Sequence, residues 1–590
     1  AKDGYLYAAC SEGLRRGRYP GANLADPAAW EAVAGGALIS GAVDRVLVHN
    51  GELYALKHDS LLRNTSGVWT LFHQATGKVT GLDDTPRGIA VETTSGGKGM
   101  VEVLDDLGAI SVMLNTPSIS EPMQTALSDE GWWVADKNNG LLLIAQDGEH
   151  RTFPNSPIST ADGAMYADSK ELVVAAGSVN DSWNYQYDPN GFYRFDGGYW
   201  TNVNLYVEPA LDTVLDLIAV ARDNGGQRLF LGSYGGGLLE YGDDGHATIY
   251  KQGTGLQPAV GDPGSYRVSG LAMEDDGDLW IANYAAPAEL VLKRKDGGWA
   301  SFPIPFDIRE NAVSQLLFDD AGHLWIVSPK GNGLFCYDPG ADHASPSDDR
   351  WRYFRQGVGQ GNLPSNDVNC VARDRDGFIW VGTTGGIGIV TCLDGVFDNN
   401  TCELYRPVVV QDGVPGYLFQ GEEVRAIAVD GANRKWVGTR KGAWLISPDG
   451  EKTIEHFTEA NSPLLSNDVN QIAVDPATGE VFFSTYNGLC SFRGGATVAD
   501  SSKGGVLVFP NPVPPGFGGS IAIRGLPENA WVRITELDGR LVYQTRALGG
   551  QAVWNGRNYR GERVSSSAYL VLASSSDNQE KVVAKIFFVR

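Results

Sequence analysis

Two cysteines and two acidic turns are the residues of this chain whose types and spacing come nearest to chemistry. Cys392 and Cys402 flank the segment 393–401. If that segment folds back as a hairpin, the sulfurs come within bonding distance; otherwise they remain two half-buried thiols. Cys10, Cys336, Cys370 and Cys490 sit singly in apolar runs, without the CxxC spacing of a zinc site, and read as small apolar strand residues. Glu274-Asp275-Asp276-Gly277 and Asp374-Arg375-Asp376-Gly377 resemble calcium loops only in their first positions. Both lack the downstream Glu ligand, and both suit tight turns. The eight histidines, from His49 to His456, are dispersed, with no HExxH, no Gly-x-Ser-x-Gly elbow and no P-loop. The expectation is a non-catalytic protein with no catalytic residues, no metal and no cofactor.

Bulk properties narrow the partners. The formal charge of −24 repels a phosphate backbone, and the Lys and Arg residues are scattered rather than clustered, which argues against nucleic acid. No run approaches the ~18 consecutive apolar residues of a membrane span, and the start Ala1-Lys2-Asp3-Gly4 lacks the regions of a signal peptide. The expectation is either a cytosolic protein or a mature chain or fragment. A length of 590 residues with 75 glycines, 15 tryptophans and 23 tyrosines indicates several all-β units built from short strands and tight turns.

The elements that carry these residues follow from a repeat. Segments 268–280 (VSGLAMEDDGDLW), 313–325 (VSQLLFDDAGHLW), 368–380 (VNCVARDRDGFIW) and 424–436 (VRAIAVDGANRKW) each place an aromatic twelve residues after a valine. This spells an alternating strand, a polar turn and a return strand opening on a large aromatic. Small residues and a second turn follow, then a third strand and, at Trp351-Arg352-Tyr353-Phe354 and Ile454-Glu455-His456-Phe457, a fourth. A four-stranded antiparallel unit of about 45–55 residues matches a propeller blade.

Weaker copies lead from Val214 to Phe230, from Val469 to Phe482, and from near Ile158 through Leu172 to Phe195, giving seven copies over about 155–495. The last lacks an obvious fourth strand, and His150-Arg151-Thr152-Phe153 is expected to supply it and close the ring. Four more copies, near Tyr5, Val46, Gly88 and Thr125, read as part of a first, larger propeller whose N-terminal blades lie outside this sequence. After Phe492 comes a Gly/Ser-rich stretch, then about 80 residues of short apolar strands expected to form a small β-sandwich. The expected fold is all-β: two tandem β-propellers, the second seven-bladed and the first a seven-bladed ring incomplete in this sequence, then the sandwich. The boundaries are 1–153, 154–495, a linker at 496–507, and 508–590.

The middle repeats resemble the two-component-regulator propeller repeat, N-D-V-x-x-[IL] followed by D-x-x-G-x-[IL]-W-[IV]-G-T; Asn366-Asp367-Val368 and Asn467-Asp468-Val469 match its start. The tail is similar to the C-terminal sorting domain of the Bacteroidetes type IX secretion system through Pro510-Asn511-Pro512, Asp538-Gly539-Arg540-Leu541-Val542, Trp554-Asn555-Gly556-Arg557, Gly561 and Tyr569-Leu570. It departs at Ser567-Ala568-Tyr569, where the family has Ser-Gly-x-Tyr. Together, tandem propellers and this tail resemble the non-catalytic propeller components of that system's cell-surface attachment complex. The resemblance implies an exported protein peripheral to the outer membrane, acting beside the sortase PorU with PorV and PorQ, and binding anionic lipopolysaccharide to assist cargo anchoring.

Candidate ligand residues follow from blade geometry. Turns joining strands two and three lie on one face of a ring, which would carry Tyr234, Tyr284, Lys330, Thr384, Arg440, Lys441 and Tyr486. Tyrosines beside cations suit an anionic sugar, although ordinary solvated loop tips would read the same way. The insertion Trp183-Asn184-Tyr185-Gln186-Tyr187 is a second candidate: its aromatics either stand exposed as a sticky patch or pack over the adjacent blade. Two other roles fit the same repeats, a secreted cargo whose tail is its export signal and the extracellular sensor of a hybrid two-component system. A propeller lyase or hydrolase would need clustered carboxylates or histidines that the sequence does not offer.

Overall fold

The computed structural model describes residues 2–152, 154–340, 343, 348–398, 401–411, 414–499, 505–574 and 580–589. Phe153, Asn399, Asn400 and 500–504, on which parts of the closure, hairpin and linker expectations fall, lie outside the described residues. The architecture is all-β, dominated by antiparallel four-stranded sheets and consistent with propeller-like folds. The chain divides into two compact units, Ala1–Asn155 and Ser156–Arg590.

In the first unit, four sheets follow in sequence, running from Tyr5–Cys10 to Trp30–Ala32, from Arg45–His49 to Val68–Gln74, from Lys78–Thr85 to Ile110–Leu114, and from Pro122–Leu127 to Gly148–Thr152. Apolar clusters fill the seams between consecutive sheets.

In the second unit the repeat grammar becomes geometry. Trp280, Trp325, Trp380 and Trp436 stand in the second strands of successive sheets and are at most 1% exposed. The acidic residue six positions earlier is the reason for the spacing in three of them. Trp280 donates its indole N–H to Glu274 at 3.0 Å, Trp325 to Asp319 at 3.0 Å and Trp380 to Asp374 at 2.9 Å. A buried indole N–H needs such an acceptor. In the fourth copy Arg434 binds Asp430 instead, and the buried indole N–H of Trp436 has no partner among the described residues. The small residues after the aromatic serve close approach: a Cβ on Gly382 would meet Val424 Cγ1 of the next sheet at 2.7 Å.

Among the described residues, seven sheets of three or four strands succeed one another between Met165 and Arg493, the two-stranded pair Val408–Gln411 and Val414–Tyr417 lying between the fifth and sixth in sequence, and a buried apolar cluster joins each of the seven to the next. The second and third are continuous through the pairing of Tyr234 with Arg267. The seventh packs on the first: Ala473 shares a cluster with Leu172, Val174 and Tyr193, Asn470 donates to Asp162 at 2.6 Å, and Ser484 bonds the carbonyl of Ala161.

The expected closing strand is corrected. Thr152 pairs with Leu141, and Gly148–Thr152 completes the sheet before it rather than the seventh. The Gln146-Asp147 turn, with His150 bonded to Asp147 at 3.0 Å, forms a local hairpin whose closure costs far less entropy than pairing with a strand more than 300 residues away.

The last segment folds as a three-stranded and a four-stranded sheet around a common core that includes Val532, Ile534, Trp554, Tyr569 and Ile586. It is tied to the preceding sheets by Arg524, which donates to the carbonyl of Thr478 at 2.7 Å, and by Gly550 N–H to Thr497 at 2.8 Å. Cys392 and Cys402 form a disulfide with Cα atoms 5.5 Å apart. The segment between them opens as a 3₁₀ turn over Leu393–Gly395 rather than as a β-hairpin, with Val396 buried beneath it. Cys10, Cys336, Cys370 and Cys490 are free.

Candidate functional site

The seven successive sheets between Met165 and Arg493 line a cavity of about 680 Å³. Its wall is set by one repeat position, the residue immediately after the repeat's valine. Ser269, Ser314, Asn369, Arg425 and Asn470 follow Val268, Val313, Val368, Val424 and Val469, and all five line it. A β-bulge explains four of the five: the pairing register shifts between Val268 and Gly270, Val368 and Cys370, Val424 and Ala426, and Val469 and Gln471, leaving the residue between them out of the ladder and beside the cavity.

The insertion in the first sheet covers one side of the mouth. Its shape is imposed by two acceptors. Asn180 Oδ1 takes the N–H groups of Ser182 at 3.0 Å and Asn184 at 2.9 Å. The fully buried carboxylate of Asp216 takes those of Gln186, Tyr187 and Asp188 at 3.1, 2.9 and 2.9 Å. Held this way, Trp183 stacks on Tyr284 with centroids 5.1 Å apart, and its carbonyl accepts from the Tyr234 hydroxyl at 2.9 Å. Tyr185 packs edge-on against Tyr234 at 5.4 Å, accepts from Arg267 at 3.1 Å, and bonds Ser265. The Arg267 guanidinium lies 4.8 Å from the Tyr185 ring and 5.1 Å from that of Tyr234.

Tyr234 and Tyr284 are therefore not open ligand platforms, correcting their sequence reading. Each is 1% exposed beneath the insertion, and burial pushes both phenols above their ordinary range. Between the two alternatives for the insertion, Trp183 and Tyr185 pack over the neighbouring sheets, and only Tyr187 stands out at 70% exposure.

The predicted cations are at the mouth, but each is matched by acid. Lys330 is paired with Glu310 and Lys441 with Glu422. Arg440 bonds Glu423 at 2.7 Å and reaches Asp181 of the insertion at 3.5 Å. Arg425 bonds Asp468 at 2.5 Å and lies 3.9 Å from Asp181. Lys330, Arg440, Thr384 and Trp183 line the cavity, whereas Lys441 and the exposed Tyr486 stand outside its lining. Sequence reasoning missed Arg425, Asn369, Asn470 and Asp162; the first three were marked by their shared place after the repeat's valine. Burial raises the carboxyl of Asp162, with the Asn470 amide and Arg425 opposing the shift.

This arrangement can bind polar groups. Among the described residues no group of three or more His, Cys, Asp or Glu side chains could hold a metal ion. The Asp374 carboxylate accepts from the N–H groups of its own turn, from the Trp380 indole and from the Lys435 ammonium. No described helix is long and apolar enough to cross a membrane.

Comparison with known proteins agrees with the fold. The family described as two component regulator propeller matches residues 362–385, covering the hairpin of Trp380. No curated protein matches. Among solved structures, the extracellular domain of a putative one-component system of B. thetaiotaomicron is 12% identical, with TM-score 0.42, covering 100% of this chain and 86% of that one. A virginiamycin B lyase from Staphylococcus aureus is 11% identical, with TM-score 0.40, covering 56% of this chain and 94% of that one. PorZ of Porphyromonas gingivalis, described as an essential bacterial surface component of the type IX secretion system, is 25% identical, with TM-score 0.62, covering 100% of this chain and 81% of that one. The chain is structurally homologous to PorZ.

Proposed function

We propose that this chain is a non-catalytic scaffold of the type IX secretion attachment complex, held at the cell surface peripheral to the outer membrane. The observation that carries the reading is the homology to PorZ along the whole chain, through both compact units and the C-terminal sheets. The closed succession of seven sheets is read as a seven-bladed propeller, the four earlier sheets as blades of another, and the C-terminal pair of sheets as a β-sandwich of the sorting type. Its partners would be PorU, PorV and PorQ, with anionic lipopolysaccharide as the ligand it brings to cargo anchoring.

The rim cations Lys330, Arg440 and Lys441, with the exposed ring of Tyr486, are the groups assigned to the anionic glycan. Anionic groups of the ligand would replace Glu310, Glu423 and Glu422 as their partners, and the packed wall of Trp183, Tyr185, Tyr234 and Tyr284 would hold the rim in shape. Purified anionic lipopolysaccharide should bind the full chain, and Arg440→Ala with Lys441→Ala should weaken binding about tenfold. Undiminished binding by that double variant would remove this rim as the site. Recovery of surface protein with its C-terminal sheets intact would favour a scaffold; their removal on maturation would favour a cargo.

A further inference from the structure

The seventh sheet of the second unit has three strands, Val469–Val474, Glu480–Thr485 and Gly488–Arg493, and among the described residues no strand pairs with the outer edge of the third. We propose that this edge is a docking site for an extended segment of a separate polypeptide, which adds as a fourth strand and seats an aromatic side chain opposite Leu489.

The sister sheets define what belongs there. Opposite the residue equivalent to Leu489, the fourth strand supplies an aromatic four times: Tyr250 faces Leu238, Phe302 faces Leu290, Phe354 faces Leu334 and Phe457 faces Ala443. Three of these rings lie against the tryptophan of their own sheet, Phe302 at 5.2 Å from Trp280, Phe354 at 5.5 Å from Trp325 and Phe457 at 5.9 Å from Trp436. Those tryptophans are 0% exposed. Phe482, at the same position of the seventh sheet, is only half-buried.

The backbone is equally prepared. In the fifth sheet, Ile389 stands three residues after the hairpin glycine Gly386, and it exchanges both its N–H and its C=O with Tyr405 at 2.8 Å. Ser491 stands three residues after Gly488 in the matching hairpin, so its donor and acceptor face outward with those of Leu489. Such a row is a template for strand addition.

Among the described residues, neither adjoining segment of this chain pairs with it. Gly148–Thr152, the strand expected here, is committed to Gly140–Ala145. Past Arg493 the chain turns away, with Gly494 bonded to Gly479 and Thr497 to Gly550. A partner strand with one aromatic and alternating polar residues is the chemistry that the fourth strand Thr453–Phe457 already displays.

The test is hydrogen exchange on the full chain with a synthetic peptide of segment 452–458 (KTIEHFT). The amides of Leu489 and Ser491 should exchange rapidly alone and about tenfold more slowly with the peptide. The peptide bearing Phe457→Ala should protect weakly, and that bearing Glu455→Pro not at all. Ser491→Pro should abolish protection while keeping the unfolding midpoint, because proline is tolerated where its missing N–H faces outward at an edge. The proposal is overturned if these amides are already protected in the free monomer, which would mean the chain covers its own edge, or if the protein dimerises through this strand. It is equally overturned if the Phe457→Ala peptide protects as well as the parent.

Discussion

Trp183 lies flat on Tyr284, with planes 8° apart, although the two residues belong to different sheets. This contact turns a polar insertion into a cover, burying Tyr284 and Tyr234 and bringing Asp181 within reach of Arg425 and Arg440 on the sixth sheet.

Trp183→Ala should therefore expose two phenols. Their ionisation, held high by burial, should move back toward the ordinary tyrosine range in an ultraviolet pH titration, with a stability loss of about 2 kcal/mol. An unchanged titration would mean that the cover does not depend on the indole.

Lys435 and Asp374 form a pair at 2.9 Å, 0% and 2% exposed by side chain, with the ammonium 4.4 Å from the Trp380 ring centroid. Asp374→Ala leaves a buried cation and an orphaned indole N–H. It should cost about 3–5 kcal/mol in urea unfolding, whereas Asp374→Ala combined with Lys435→Met should recover much of that loss.

Glu92 in the first unit is fully buried, with no hydrogen-bond partner among the described residues for either carboxyl oxygen. Burial pushes it up to about 7, the nearby Asp83 adding to the shift and Thr125 opposing it. The native state thus keeps this proton to higher pH than the unfolded chain, so stability falls as pH rises from about 4.5 to about 7 and levels off above. Native-state exchange of the Gly88–Ser95 strand should show this loss, and Glu92→Gln should flatten it. A wild-type strand that gains protection over the same window would contradict the assignment.

Cys402→Ala removes a crosslink whose half-cystine is 1% exposed among Val390, Val396 and Leu404. The loss should be about 2–3 kcal/mol, read as a shift of the urea midpoint. Reduction of the wild type should produce a similar shift.

The legible part of this molecule was local. The twelve-residue step from valine to tryptophan located the second strands around Trp280, Trp325, Trp380 and Trp436, because turn chemistry and strand alternation are written within one hairpin. What escaped depended on choices between distant partners. Thr152 resembled a closing strand in composition, yet its own tight hairpin captured it. Tyr284 occupies the expected turn and Tyr234 the end of a strand, but the burial of both is imposed by an insertion that itself depends on the carboxylate of Asp216. Arg440 and Lys441 read as free cations because their acidic partners arrive from other turns.

The most direct measurement is affinity purification of the full chain from native outer membranes in mild detergent, with proteins and glycolipids identified by mass spectrometry. A surface scaffold should bring down the sortase and its attachment-complex partners together with anionic lipopolysaccharide. Recovery of the chain alone, free of both, would contradict the account.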